Sequence, residues 1–140
     1  ALALGSAMTN GDIGLSDFIE AQLGPLSNIF GGMAFVFLLT AITAVMTNVG
    51  SNMVTVTIVT TVALPIACAL EGVNVGALAV VIGMMSTYAY ATPPAMTTVV
   101  LGTGSGWTTN AQMAKYGFLI LIPCILIVAL IAYPIAAQFL

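Results

Sequence analysis

Charge is what this chain lacks. Only Asp12, Asp17, Glu20, Glu71 and Lys115 ionise near neutral pH, 4% of its 140 residues, where soluble globular chains carry roughly a quarter. With so little polar surface, a soluble enzyme is excluded. The single cation cannot build the electrostatic footprint that phosphate binding needs, so no nucleic acid is expected as a partner. Histidine is absent altogether, which removes the usual metal ligand, general base and proton switch. Cys68 and Cys124 both lie inside apolar stretches and are expected as buried packing thiols rather than a disulfide or metal clip. With no catalytic base, nucleophile pair or metal cluster in view, the chain is not expected to be an enzyme or to carry an organic cofactor. The first residue is Ala with no basic segment before the apolar run, so no signal peptide is expected, and the chain reads as a piece of something longer.

What is present is hydrocarbon. Sixty-one per cent of the residues are hydrophobic, the mean hydropathy is +1.19, and 21–70 and 72–114 carry no charge. A bilayer core needs about 20 helical residues per pass, which leaves room for at most about five or six. A single multi-pass membrane domain over 1–140 is therefore expected. Within it, 1–10 reads as the end of a helix, closed by the turn signal Asn10-Gly11. Segment 12–23 holds three of the charges opposite Ile13, Leu15, Phe18, Ile19 and Leu23, which suits a helix lying at the interface. A helical hairpin over 27–70, an interrupted helix over 73–104 and a last helix over 116–139 follow. Pro123 and Pro134 are expected to kink the last helix, as lipid-buried helices tolerate. Residues 102–106 with Asn110 and Lys115 read as a polar connection, and Gly102 to Gly106 as a linker rather than a phosphate loop, lacking the Lys and preceding strand of one. Trp107, Tyr116 and Tyr133 are expected at the membrane interface, Glu71 in a solvated turn, and Met84 and Met85 in packing.

One stretch points two ways. Met53–Val62 is β-branched and alternates with period 2, which in a soluble chain signals a strand. In a bilayer an open strand leaves backbone groups without partners, at several kcal/mol each. Thr hydroxyls can bond back to a carbonyl one turn earlier, so a helix is expected.

Two polar interruptions stand inside lipid-grade sequence: Thr47-Asn48-Val49-Gly50-Ser51-Asn52 and Tyr90-Ala91-Thr92-Pro93-Pro94. At the first, Gly50 permits a turn and Ser51 or Asn52 is expected to cap the next helix. At the second, each Pro disfavours helical angles in the residue before it, so the helix should open at 91–93 and restart with Pro in its first turn. Broken helices free carbonyls at one end, carrying about half a negative charge, and amides at the other, carrying about half a positive one. Discontinuous helices of secondary transporters use such ends to hold a cation and an anion side by side. The plainer alternatives are an interfacial loop for the first interruption and a simple kink for the second.

The order and spacing of these two motifs resemble the second half of the divalent-anion:sodium symporter family, where a Ser-Asn-Thr hairpin tip precedes an Ala-Thr-Pro-Pro break. Leu2-Ala3-Leu4-Gly5, Gly14-Leu15, Gly102-Thr103-Gly104 and Met113-Ala114-Lys115-Tyr116-Gly117 resemble neighbouring segments of that family. The resemblance implies an all-α membrane fold with one of two inverted repeats, a hairpin plus a broken helix. It implies a sodium site from Thr47, Gly50, Asn52 and Ala91, and anion contacts from Ser51, Asn52, Thr92 and Pro93. Met53 stands where the family usually has Thr, and Asn48 where many members have Glu. The resemblance further implies a complementary N-terminal half, a homodimer and a location in the cell's inner or plasma membrane. The expected function is sodium-coupled symport of a dicarboxylate or sulfate-like anion by alternating access. Its rivals are a proton-coupled or exchanging ion transporter of the same design, and a hydrophobic subunit that only packs in a membrane complex.

Overall fold

The computed structural model describes residues 31–70, 72–93 and 95–140. The expected helix end at 1–10, the interfacial helix at 12–23, the start of the hairpin, Glu71 and Pro94 lie outside the described residues. Among the described residues every regular element is a helix: α1 (Gly32–Val49), α2 (Asn52–Ala69), α3 (Val75–Ser86), α4 (Thr97–Gly104), α5 (Asn110–Ile127), a π-helical stretch (Val128–Ala132) and α6 (Tyr133–Phe139).

The strand-like text of Met53–Val62 is α-helical throughout. Helix geometry closes every backbone hydrogen bond locally, and the hydroxyls adapt: Thr61 donates to the Thr57 carbonyl at 2.7 Å, as Thr40 does to Val36 and Thr43 to Leu39. A polar side chain that bonds its own helix can sit in apolar surroundings without an unmet group.

α3 is the centre of the fold and packs on α1, α2 and α6. Leu78, Val81, Ile82 and Met85 are all 0% exposed, and their spacing places them on one helical face. Met84, one residue away, is exposed; of the two methionines only Met85 belongs to the core. Asn74 starts α3 by accepting from the Ala77 amide at 3.0 Å, and its own amide donates to Tyr133 Oη at 2.9 Å. Tyr133 is therefore buried in the bundle, 7% exposed, rather than displayed on its surface. A phenol ring can enter a core when its hydroxyl finds a partner, and the Asn74 amide supplies it.

The last helix starts earlier than expected, at Asn110 rather than 116. Thr109 and Gln112 form a capping box, with Gln112 Oε1 accepting from the Thr109 amide at 3.0 Å and Thr109 Oγ1 from the Gln112 amide at 3.3 Å. This T-x-x-Q signature satisfies two amides that a helix start leaves open. Lys115 consequently lies inside α5 and Gly102–Gly104 inside α4, so the polar connection shortens to 105–109. There Gly106, at φ 78, adopts the left-handed turn that favours glycine, and Trp107 stands 91% exposed. Downstream, the Tyr133 amide reaches back to the Val128 carbonyl, a bond one residue wider than the α pattern. Pro134 follows immediately. Proline lacks the amide for an α bond and crowds the carbonyl four residues back, and a wider turn accommodates both.

Among the described residues two helices are long and apolar enough to cross a membrane: Gly32–Val49, with mean hydropathy 1.9, and the continuous run Asn110–Phe139, whose most apolar 18-residue window has a mean hydropathy of 2.8. At 1.5 Å per residue the second is about 45 Å long, beyond the roughly 30 Å of a hydrocarbon core. Cys124 is half-buried among the core residues, whereas Cys68, expected to be buried, is exposed. It sits in the last turn of α2. Both thiols are free.

Candidate ion-binding site

The two polar interruptions are unlike in length and meet in space. The first is only Gly50 and Ser51, between α1 and α2. The Gly50 amide donates to the Met46 carbonyl at 2.9 Å and the Thr55 amide to the Ser51 carbonyl at 2.9 Å, so this turn satisfies itself from its own helices. Ser51 occupies the cap position of α2, but its hydroxyl makes no capping bond; it is exposed. Asn52 does not cap either. It is the first residue of α2, and its carboxamide is engaged by Thr47.

The second interruption runs from 87 to 96, wider than the two Pro residues alone imply. α3 ends at Ser86, and α4 begins at Thr97 with Met96 as its cap. The expected restart with proline in the first turn is therefore replaced by a start at Thr97. The reason lies in what the freed backbone groups find. The Thr47 hydroxyl donates to the Ser86 carbonyl. Asn48 Nδ2 donates to the Tyr88 carbonyl at 2.9 Å and to the Ala44 carbonyl at 2.8 Å. Asn48 Oδ1 accepts from the Ala91 amide at 2.8 Å, and the Thr92 hydroxyl donates to the Asn48 carbonyl. Unwinding is tolerated at depth where neighbouring helices re-satisfy the freed groups.

The residues singled out from the sequence fall into two neighbouring places. Thr47 is 0% exposed, and its hydroxyl also lies 2.9 Å from Asn52 Oδ1. That hydroxyl has one proton, yet Asn52 Oδ1 and Ser86 O both face it. Three oxygens thus meet around a single hydroxyl hydrogen where the C-terminal ends of α1 and α3, whose carbonyls carry partial negative charge, come up against the first residue of α2. Ala91 is also 0% exposed and is joined to this corner through Asn48. Ser51, Asn52 and Pro93 border a cleft of about 550 Å³. Its other walls are Met53, Ala95, Met96, Thr97 and Val100, none of them ionisable. The N-terminal ends of α2 and α4 open onto it, so its partial charge is positive. Thr92 turns its hydroxyl to the Asn48 carbonyl, and Gly50 is held by Met46.

From behind, α5 closes on the break. A Cβ added at Gly117 would lie 2.5 Å from Ala91 Cα and 2.9 Å from its amide nitrogen. Only a residue without a side chain lets the helix approach so closely.

Asn48 and Ser86 are the site residues that sequence reasoning missed. Asn48 was visible as one more polar residue in a polar cluster, but the partners of its carboxamide in the second break lie 40 and 43 positions away. Ser86 acts through its carbonyl, which no residue type announces. Comparison of the chain with family models, with curated proteins and with solved structures returns no match.

Proposed function

We propose that this chain is the ion-binding half of a sodium-coupled secondary transporter, moving a small dicarboxylate or sulfate-like anion across a bilayer by alternating access. The observation that carries this reading is the oxygen corner of Thr47, Asn52 and Ser86, where two acceptors compete for one hydroxyl proton. Hydroxyl, carboxamide and carbonyl oxygens are the ligands a hard cation takes. A sodium ion there uses lone pairs that protein donors leave idle. Bound beside the cleft, it lowers the electrostatic cost of bringing an anion into a low-dielectric site, and this is the coupling. The anion contacts are Ser51, Asn52, Thr92 and Pro93, and the sodium contacts Thr47, Gly50, Asn52 and Ala91, with Ser86 added.

Membrane residence rests on the two long apolar helices and on α5, whose Leu119, Ile120, Ile122 and Leu126 are exposed without polar cover. Such a surface suits lipid or a second repeat. The resemblance to divalent-anion:sodium symporters supplies the rest of the reading: a complementary half carrying a second hairpin and broken helix, and a homodimer. Two features favour this over its rivals. The described residues include no carboxylate and no histidine, so they build no proton relay. A subunit that merely packs needs no bonds between its two interruptions, and here these are joined side chain to backbone.

The experiment is uptake into vesicles holding the protein together with its complementary repeat, driven by an inward sodium gradient at fixed pH. Sodium-dependent uptake of labelled dicarboxylate or sulfate is expected, and Asn52→Ala abolishes it. Uptake unchanged when choline replaces sodium, or in the Asn52→Ala protein, overturns the reading.

A further inference from the structure

Asn48 is the side chain that reaches from the hairpin tip into the second break. It is 0% exposed, and its carboxamide uses both N–H groups and its oxygen: Ala44 O and Tyr88 O accept, and the Ala91 amide donates. Its main-chain carbonyl accepts in turn from the Thr92 hydroxyl. Gly117 of α5 also abuts this peptide, since the Ala91 backbone already fills the space a Cβ would need. The peptide from Tyr88 to Thr92 is therefore held by one carboxamide and approached closely by one bare helix backbone. The grip also sorts the freed carbonyls. Tyr88 O is spent on Asn48, while Ser86 O faces the Thr47 hydroxyl.

We propose that Asn48 is the positioning residue of the cation site, setting which backbone oxygens of the second break are offered to the ion and at what geometry. The proposal rests on the transporter reading above and adds a residue that reading did not assign. The donor–acceptor pattern demands a carboxamide. A carboxylate at this position has no hydrogen for Tyr88 O or Ala44 O, and an aliphatic side chain strands the Ala91 amide. Asn48 need not touch the ion to control it: groups that orient a metal's ligands typically change its affinity by about 10–100-fold when removed.

The test compares sodium titrations of uptake for the wild-type protein, Asn48→Ala and Asn48→Ser, each with the complementary repeat. The expected result is a rise of about tenfold or more in the half-saturating sodium concentration, with an altered sodium-to-lithium preference. The anion KM at saturating sodium shifts by less than the sodium midpoint does, because Asn48 is not itself among the cleft residues. A merely structural role lowers the amount of folded protein and the maximal rate while leaving the sodium midpoint in place, and that result overturns the proposal. Asn48→Ser, which keeps a small polar group, gives the measurement should Asn48→Ala fail to fold. Wild-type uptake without sodium dependence defeats the transporter reading itself. Sodium-dependent wild type with unmoved midpoints in the variants defeats the positioning role alone.

Discussion

The hairpin turn and the second break solve the same problem in opposite ways. At Gly50-Ser51 the chain reverses between two helices on local bonds, the backbone ones to Met46 and Ser51 and the side-chain one from Thr47 to Asn52. From 87 to 96 the chain adds borrowed partners to a few turn bonds of its own, with Ser86 O, Tyr88 O and the Ala91 amide all served by Thr47 and Asn48 of the hairpin. One interruption is self-sufficient and the other depends on it. On the transporter reading proposed above, the dependent segment is where an ion would act, because a ligand that engages Thr47 or Asn52 would change what the break can hold on to. Differential contact of this kind is what lets a ligand shift a conformational equilibrium.

That asymmetry can be broken at graded cost. The largest effect is expected for Gly117→Ala, which drives a methyl group into the Ala91 backbone. About 3 kcal/mol of stability is expected to be lost, the upper end of ordinary overpacking, read as a fall in the thermal midpoint in detergent. A midpoint near wild type would mean that the break moves aside freely. Next comes Asn48→Leu, similar in volume but without partners for Tyr88 O and the Ala91 amide. Stranding buried backbone groups costs about 2 kcal/mol. Amide exchange should quicken at Ala91 and stay unchanged at Gly50 and Thr55, and equal acceleration at both interruptions would erase the distinction drawn above. Tyr133→Phe removes the hydroxyl from the Asn74 amide and should cost about 1 kcal/mol without altering exchange at either interruption. The smallest change belongs to Ser51→Ala. With no capping bond to lose, stability should stay within about 0.5 kcal/mol, while anion affinity in the uptake assay falls because Ser51 borders the cleft. A loss of about 1 kcal/mol, the usual value of a side-chain cap, would show that the hairpin turn leans on Ser51 after all.

Helical class was legible from composition and physics together. Met53–Val62 reads as strand by propensity, and the requirement to close backbone bonds within apolar surroundings decides for helix. The Gly50-Ser51 turn could be placed because Gly and Ser act locally. The width of the second break could not. Pro93 and Pro94 constrain their immediate neighbours, but α3 stops at Ser86 because distant side chains wait for its freed carbonyls, and distance along the chain hides that. The early start of α5 was written in Thr109-x-x-Gln112 and passed over beside the more conspicuous glycines. Cys68 and Tyr133 show a different limit. Hydropathy says that a residue avoids water, not whether it faces a neighbouring helix or the outside of the bundle.

Trp107 is the chain's sole tryptophan and stands clear of the protein. Its indole is consequently a built-in optical depth gauge. Fluorescence from it arises at the α4–α5 connection, uncontaminated by any other indole of the chain, so a blue shift on mixing with vesicles and graded quenching by brominated acyl chains would report whether that corner enters a bilayer and how deeply.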